Sequence, residues 1–309
     1  MRRFSSITTT QLARICGVSQ GTVDRALHGR PGISEQTRER ILSVAREYEY
    51  TPGLRGNVPK GRSMLIGVVL FDLYNEFFSK LAMSLVEAAK QNDYSVIFLF
   101  SNKDVKQEKS AIDYFNYIGV DGIVLFSVGA GGEDYAQYLK SVMRPIVTLG
   151  NRLPGLAHVG IDDRAAMYEL TRHMIDLSEG TLTYFAPALK RQLGQGNAQL
   201  LRLDGFEAAA RESGRPFLVA TTEQKLDGRV GGIICSTDHY LQRVMEHLGV
   251  DCRCRLAGFD NVSFLRSLRA DILTVDHSTD LLAAQCMNYF LRRDYQAVIP
   301  HRIVSGDGD

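Results

Sequence analysis

A chain of 309 residues, 45% hydrophobic and with only 8 prolines, has the length for about two or three domains with sizeable cores, which excludes disorder on a large scale. No apolar run approaches the roughly 18 residues of a membrane span, and no N-terminal stretch resembles a signal peptide, so a cytoplasmic chain without a membrane partner is expected. The formal net charge of +1 hides an asymmetry: residues 1–62 hold 11 Lys and Arg against 5 Asp and Glu, and the rest hold 25 against 30. Nucleic acid would be drawn to the first segment and repelled by the second.

Residues 8–28 spell two short helices broken at Gly17-Val18-Ser19. Thr8 followed by Gln11 is a capping box that starts a first helix near Thr9, and Leu12, Ile15 and Cys16 fall on one apolar stripe. Gly17 permits the left-handed residue that stops a helix. Ser19 caps a second helix, which Val23 and Leu27 anchor on the first. Its other face carries Gln20, Thr22, Arg25 and His28, read either as a solvated face or as one that meets base edges. After the Pro31-Gly32 turn, Ser34 and Glu35 open a third helix with Ile41, Leu42 and Ala45 buried, leaving Arg38, Arg40 and Arg46 for phosphates.

The segment GVSQGTVDRALHGRPGISEQTRERIL resembles the N-terminal helix-turn-helix of the lactose/galactose-repressor (LacI) family. The resemblance rests on Ala13, Gly17-Val18-Ser19, Thr22-Val23, Arg25, Leu27, Arg30-Pro31 and Thr37-Arg38 in order, and continues more faintly beyond residue 80. It implies a homodimer on a near-palindromic double-stranded DNA operator, with Thr8, Ser19, Gln20, Gly21, Thr22, Arg25, His28 and Arg38 at the DNA. Gln20 and Arg25 would reach base edges, and Thr22 and Arg38 the backbone.

Residues 53–63 turn abruptly to Gly, Pro and basic residues and read as a linker between a head at 1–52 and a larger unit at 64–309. Relatives place a hinge helix there. Gly53, Gly56 and Pro59 oppose one, so an extended linker is expected, with Val58 the apolar residue offered to the minor groove. From Met64 short apolar runs alternate with amphipathic stretches: LIGVVLF, a helix from about Phe77 to Asn92, VIFLF, a helix through Ile112 and Phe115, GIVLF and IVTL. The alternation resumes with TLTYFA, a helix around Leu203 to Arg211, FLVA, GIICS, a helix from about His239 to His247, and LAGF, before a last helix from about Thr279 to Arg293. Such alternation indicates parallel sheets covered on both faces. The fold class expected is α/β: a small all-α helix-turn-helix domain followed by two doubly wound parallel-sheet lobes, about 64–160 plus 277–293 and 161–276 plus 294–309. The resemblance implies a periplasmic-binding-protein-like effector domain.

Ligands of open α/β sheets sit beyond the carboxyl ends of strands. The positions there are Asn75, Phe77 and Phe78 after the first run, Asp162 after HVGI and Asp260 after LAGF. The family resemblance implies an aromatic that packs on the effector and acids that take hydrogen bonds from a sugar or similar metabolite, whereas position alone equally allows Asp162 and Asp260 to cap helices. The cleft arginine that relatives carry before R-L-x-G-F would fall at Leu200, and residues 221–231, TTEQKLDGRVG, are short for a helical crossover and hold no aromatic. A reduced wall on the second lobe is the resulting expectation.

Neither Gly129-Ala130-Gly131-Gly132 nor Gly194-Gln195-Gly196 completes a nucleotide-binding fingerprint, and no nucleophile and base pair by motif, so no catalysis and no cofactor are expected. Five cysteines, Cys16, Cys235, Cys252, Cys254 and Cys286, are read as reduced thiols; the C-x-C pair with His239 and His247 upstream fits structural zinc spacing poorly, and no metal is expected. The function expected is a DNA-binding repressor switched by a small polar effector; the alternative is a solute-binding, transport-type protein or sensor without DNA regulation.

Overall fold

The computed structural model describes residues 9–27, 30–47, 62–129, 132–187, 189, 196–228 and 231–305. The head holds α1 (Thr9–Ile15), α2 (Gln20–Leu27) and α3 (Glu35–Glu47) around Leu12, Ala13, Cys16, Val23, Ala26, Ile41 and Ala45. Gly17 adopts φ 63 between α1 and α2, and the Ser19 and Ser34 hydroxyls accept from the Thr22 and Thr37 amides, each at 3.2 Å. Ile15, expected on the buried stripe, is 46% exposed, and Ala13 takes its place. In a helix of seven residues the inward arc is set by where α2 and α3 cross it, and that arc is centred on Leu12 and Cys16. Leu27 and Leu42 are only half-buried at its margin. Thr8 and the linker through residue 61 lie outside the described residues, as does the question of a hinge helix.

The first lobe is a five-stranded, all-parallel sheet in the order β2-β1-β3-β4-β5, made of β1 (Leu65–Leu70), β2 (Ser95–Phe100), β3 (Gly122–Phe126), β4 (Ile146–Leu149) and β5 (Ala157–His158). It is covered by α4 (Glu76–Lys90), α5 (Val105–Ile118) and α6 (Gly132–Ser141). The second sheet has the order β11-β10-β9-β8-β6-β7, from β6 (Leu182–Phe185), β7 (Phe217–Ala220), β8 (Gly232–Cys235), β9 (Arg255–Phe259), β10 (Leu273–Asp276) and β11 (Arg302–Ser305). It is parallel except at β11, which returns antiparallel to β10. Its helices are α7 (Asp163–Leu177), α8 (Ala198–Glu212), α9 (Asp238–Leu248) and the short α10 (Ser263–Leu268). Between β7 and β8 the described residues hold one 3-10 turn, Glu223–Lys225, and no α-helix, and β6 lies between the two strands in the sheet, so they are not neighbours.

After β10 the chain crosses back, and α11 (Thr279–Phe290) packs on α4, with Ser84 Oγ 2.9 Å from Thr279 Oγ1. Gly122 makes this docking possible: a Cβ there would lie 2.3 Å from the Phe290 ring. The crossing segments pair with each other, Gly160 N donating to Ala297 O at 3.0 Å and Ile299 N to Gly160 O at 2.8 Å. One apolar cluster runs from Ile66 and Leu81 through Leu282 and Met287 of α11 to Met167, Tyr184 and Phe206. Among the described residues no helix is long and apolar enough to cross a membrane.

Candidate functional site

On the head, Ser19, Gln20, Gly21 and Arg25 are exposed along α2, and Thr22 is half-buried. The Ser19 and Thr22 hydroxyls stand 2.9 Å apart, and Gln20 Nε2 donates to Thr10 Oγ1 on α1. Two arginines expected at phosphates are engaged within the head. Arg38 donates to the Arg30 carbonyl at 3.0 Å, pairs with Glu35 at 3.4 Å, and has a side chain only 17% exposed; Arg40 donates to the Cys16 carbonyl at 2.8 Å, closing the end of α1. His28 and Val58 lie outside the described residues.

A cavity of about 620 Å³ opens beyond the carboxyl ends of the strands, with walls from both lobes. Asn75 reaches it while its side chain caps α4, accepting from Phe77 N at 3.1 Å. Both Phe77 and Phe78 line it. With Phe71 and Phe126 they form an edge-to-face cluster, Phe78 to Phe126 at 4.9 Å and Phe71 to Phe126 at 5.1 Å, so this wall offers carbon. Buried Glu108 holds the adjoining loop, accepting from Ser127 Oγ at 2.9 Å, Val128 N at 2.6 Å and the Tyr135 hydroxyl; burial pushes its carboxyl up despite these bonds.

The facing wall is polar and charged. Asn197 caps α8, Gln199 carries a buried amide oxygen with no hydrogen-bond partner among the described residues, and Arg202 sits one turn on from Ala198. Arg202 Nε meets Asp163 Oδ1 at 2.7 Å, its Nη1 donates to the Ser236 carbonyl at 2.7 Å, Asp260 Oδ1 stands 3.9 Å away, and the Phe259 ring lies 3.5 Å beneath the guanidinium. Gly205 allows this, because a Cβ there would come within 2.3 Å of the Arg164 carbonyl on α7; α7 and α8 therefore approach closely enough to pair Asp163 with Arg202. The expectation of a reduced second-lobe wall fails on one of its two grounds: Leu200 lies outside the cavity and the arginine of the R-L-x-G-F segment itself lines the cleft, whereas the described residues between β7 and β8 hold no α-helix and none of them lines it.

Asp162, expected at the effector, is exposed and caps α7 by accepting from Ala165 N at 3.0 Å; its neighbour Asp163 lines the cavity instead. Asp260 does line it, buried, at φ 106, a conformation non-glycine residues rarely adopt. His277 binds it at 3.2 Å and stacks on Phe77 at 4.6 Å. Asp238 fixes the strained turn: it accepts from Val262 N at 2.8 Å and from Thr274 Oγ1 at 3.0 Å, and Thr274 Oγ1 accepts from Asn261 N. Burial raises its carboxyl to about 8, the Asp260 charge adding to the rise and hydrogen bonds opposing it. Position after a strand could not separate Asp162 from Asp163; Arg202 entered the sequence reading only as the first residue of R-L-x-G-F, and Gln199 and His277 belong to no motif.

A helix-turn-helix head followed by two doubly wound lobes with a cleft between them defines the class of fold. The chain belongs to the LacI family: the sequence pattern described as periplasmic binding proteins and sugar binding domain of LacI family matches residues 63–228, and that of bacterial regulatory proteins, lacI family, matches residues 9–53. It is 28% identical over 220 residues to catabolite control protein A of Priestia megaterium, covering 68% of this chain and 63% of that protein's length. It is 24% identical to the sucrose operon repressor of Pediococcus pentosaceus, over 91% of this chain and 90% of the repressor. The fold is that of a transcriptional regulator CelR–cellobiose complex, with TM-score 0.63 at 18% identity, covering 98% and 100% of the two chains.

Proposed function

We propose that this chain is a transcriptional repressor that binds a near-palindromic DNA operator as a homodimer and is switched by a small hydroxylated effector in the cleft. The observation that carries the effector assignment is the opposition of the two walls. The phenylalanine cluster suits the apolar face of a sugar-like ring, and Asp260, Arg202 and Gln199 suit its hydroxyls. A sucrose operon repressor among the relatives and a cellobiose complex among the structural neighbours support a carbohydrate effector. On the head, Gln20 and Arg25 are exposed on α2 for base edges, Thr22 is assigned to the DNA backbone, and Arg38 holds the Arg30 carbonyl. Regulation follows if the effector prefers one lobe arrangement, because only a differential affinity shifts the population that binds DNA.

A thermal-shift screen of sugars, sugar phosphates and polyols, followed by calorimetry on the hit with wild type and Asp260→Ala, tests the cleft. The expected result is a bound carbohydrate whose affinity collapses in the variant; tight binding that survives Asp260→Ala overturns the assignment. Operator selection from random DNA tests the head. Arg25→Ala should lose about 1–3 kcal/mol of discrimination at one base pair, and unchanged sequence preference refutes its role at a base edge.

A further inference from the structure

Cys252 and Cys254 lie away from the cleft in the turn between α9 and β9, with their sulfurs 3.4 Å apart. Cys254 is 2% exposed and its thiol donates to the Cys252 sulfur, while Cys252 is partly exposed. One guanidinium organises the turn. Arg269 donates to the Cys252 carbonyl at 2.7 Å and the Cys254 carbonyl at 2.9 Å, and its Nη1 stands 3.3 Å from Cys252 Sγ. Asp271 holds Arg269 in that pose, accepting from its Nη2 at 3.0 Å and from Arg255 at 2.9 Å. Two donors therefore converge on the more accessible sulfur. Cys16, Cys235 and Cys286 are all buried in core clusters.

We infer that Cys252 and Cys254 are a redox-modifiable dithiol that closes to an intrachain disulfide when it meets a hydroperoxide. Cys252, its proton lost to water, attacks one peroxide oxygen; the O–O bond breaks, an S–O bond forms as a sulfenic acid, and the departing alkoxide or hydroxide takes a proton from water. The Cys254 sulfur then attacks the Cys252 sulfur. The S–S bond forms, the S–O bond breaks, and hydroxide leaves with the Cys254 proton as water. Two electrons pass from the two sulfurs to the two peroxide oxygens. Burial pushes the Cys254 thiol up to about 12, with the Cys252 contact adding to it, so Cys254 keeps its proton until it resolves the sulfenic acid. Closure needs the sulfurs to approach from 3.4 Å to about 2.0 Å, within reach of a turn with one intervening residue.

The test is peptide mapping of the reduced full chain after treatment with hydrogen peroxide and alkylation. The expected result is loss of two hydrogens in mass on the peptide holding both cysteines, reversal by dithiothreitol, and Cys16, Cys235 and Cys286 still alkylated. Cys254→Ser should instead accumulate a dimedone-reactive sulfenic acid on Cys252, and Cys252→Ser should show neither change. The inference is overturned if both cysteines remain alkylated at peroxide doses that oxidise a free thiol, if the disulfide joins two chains, or if Cys252 proceeds to sulfinic acid with Cys254 intact.

Discussion

Arg202 holds the charged wall of the cleft together. Its side chain and that of Asp163 are each 8% exposed, so removing the guanidinium strands a buried carboxylate, a change that costs about 3–5 kcal/mol where such pairs have been broken. Arg202→Met should lower the unfolding free energy by about that amount in urea titrations and also weaken effector binding; a variant as stable as wild type would show that Asp163 finds water or another donor. Asp238 makes a second prediction, about pH. Its carboxyl titrates near 8 in the folded chain against about 3.9 unfolded, so between these values the native state keeps a proton that the unfolded chain has released. Stability from this group is therefore greatest at low pH and falls as pH rises toward 8. His158, held down to about 4 by burial and by the Arg152 charge, acts with the opposite sign between about pH 4 and 6.5, so the clean window lies above it. Between about pH 7 and 8, Asp238→Asn should remove a decline of up to about 1 kcal/mol per pH unit, read as the difference in urea midpoints from wild type. Equal slopes in the two proteins would mean that Asp238 is ionised in the fold.

At the scale of elements, the α7–α8 contact carries the site because each helix brings one member of the ion pair. Gly205→Ala would press a methyl group against the Arg164 carbonyl, and overpacking of this kind costs about 1–3 kcal/mol. A lowered melting temperature together with weaker effector binding is expected; lost stability with unchanged binding would uncouple the helix contact from the cleft. Periodicity made these elements legible. Continuous apolar runs such as LIGVVLF and GIVLF mark strands buried on both faces, and the Gly17 and Ser19 signals mark the break between α1 and α2. What periodicity lacks is azimuth. Whether Ile15 or Ala13 turns inward depends on where two other helices cross α1, and whether Asp162 or Asp163 enters the cleft depends on which one the cap uses. Arg202 was visible in R-L-x-G-F but not its direction, for the same reason: a charged residue within a partly buried helix declares where it points only once α7 is in place. The antiparallel return of β11 left no apolar run long enough to announce it.

Across the whole molecule the lobes are tied by bonds of unequal weight. At the rim, Glu76 accepts from Ser263 Oγ at 2.6 Å and Lys80 Nζ donates to the Asn261 carbonyl at 3.2 Å, in exposed surroundings where water replaces such bonds cheaply. Inside, Asn151 Oδ1 accepts from Asn197 Nδ2 and from Ala198 N, both at 3.1 Å, while its Nδ2 donates to the Ser127 carbonyl at 2.8 Å. Asn151 is 9% exposed and Asn197 6%, so truncating Asn151 leaves buried donors on the second lobe and a buried acceptor on the first. Each such orphan costs about 1–3 kcal/mol, and opening the lobes to water relieves it. Asn151→Ala should therefore favour a more open lobe arrangement and weaken effector binding by about tenfold or more, equivalent to about 1.4 kcal/mol. Ser263→Ala, at the rim, should change affinity only a few-fold. Small-angle scattering of the ligand-free variants should order them the same way, with the larger radius of gyration for Asn151→Ala. The reverse ranking in affinity and size would place control of closure at the rim, with Glu76 and Lys80 as its agents.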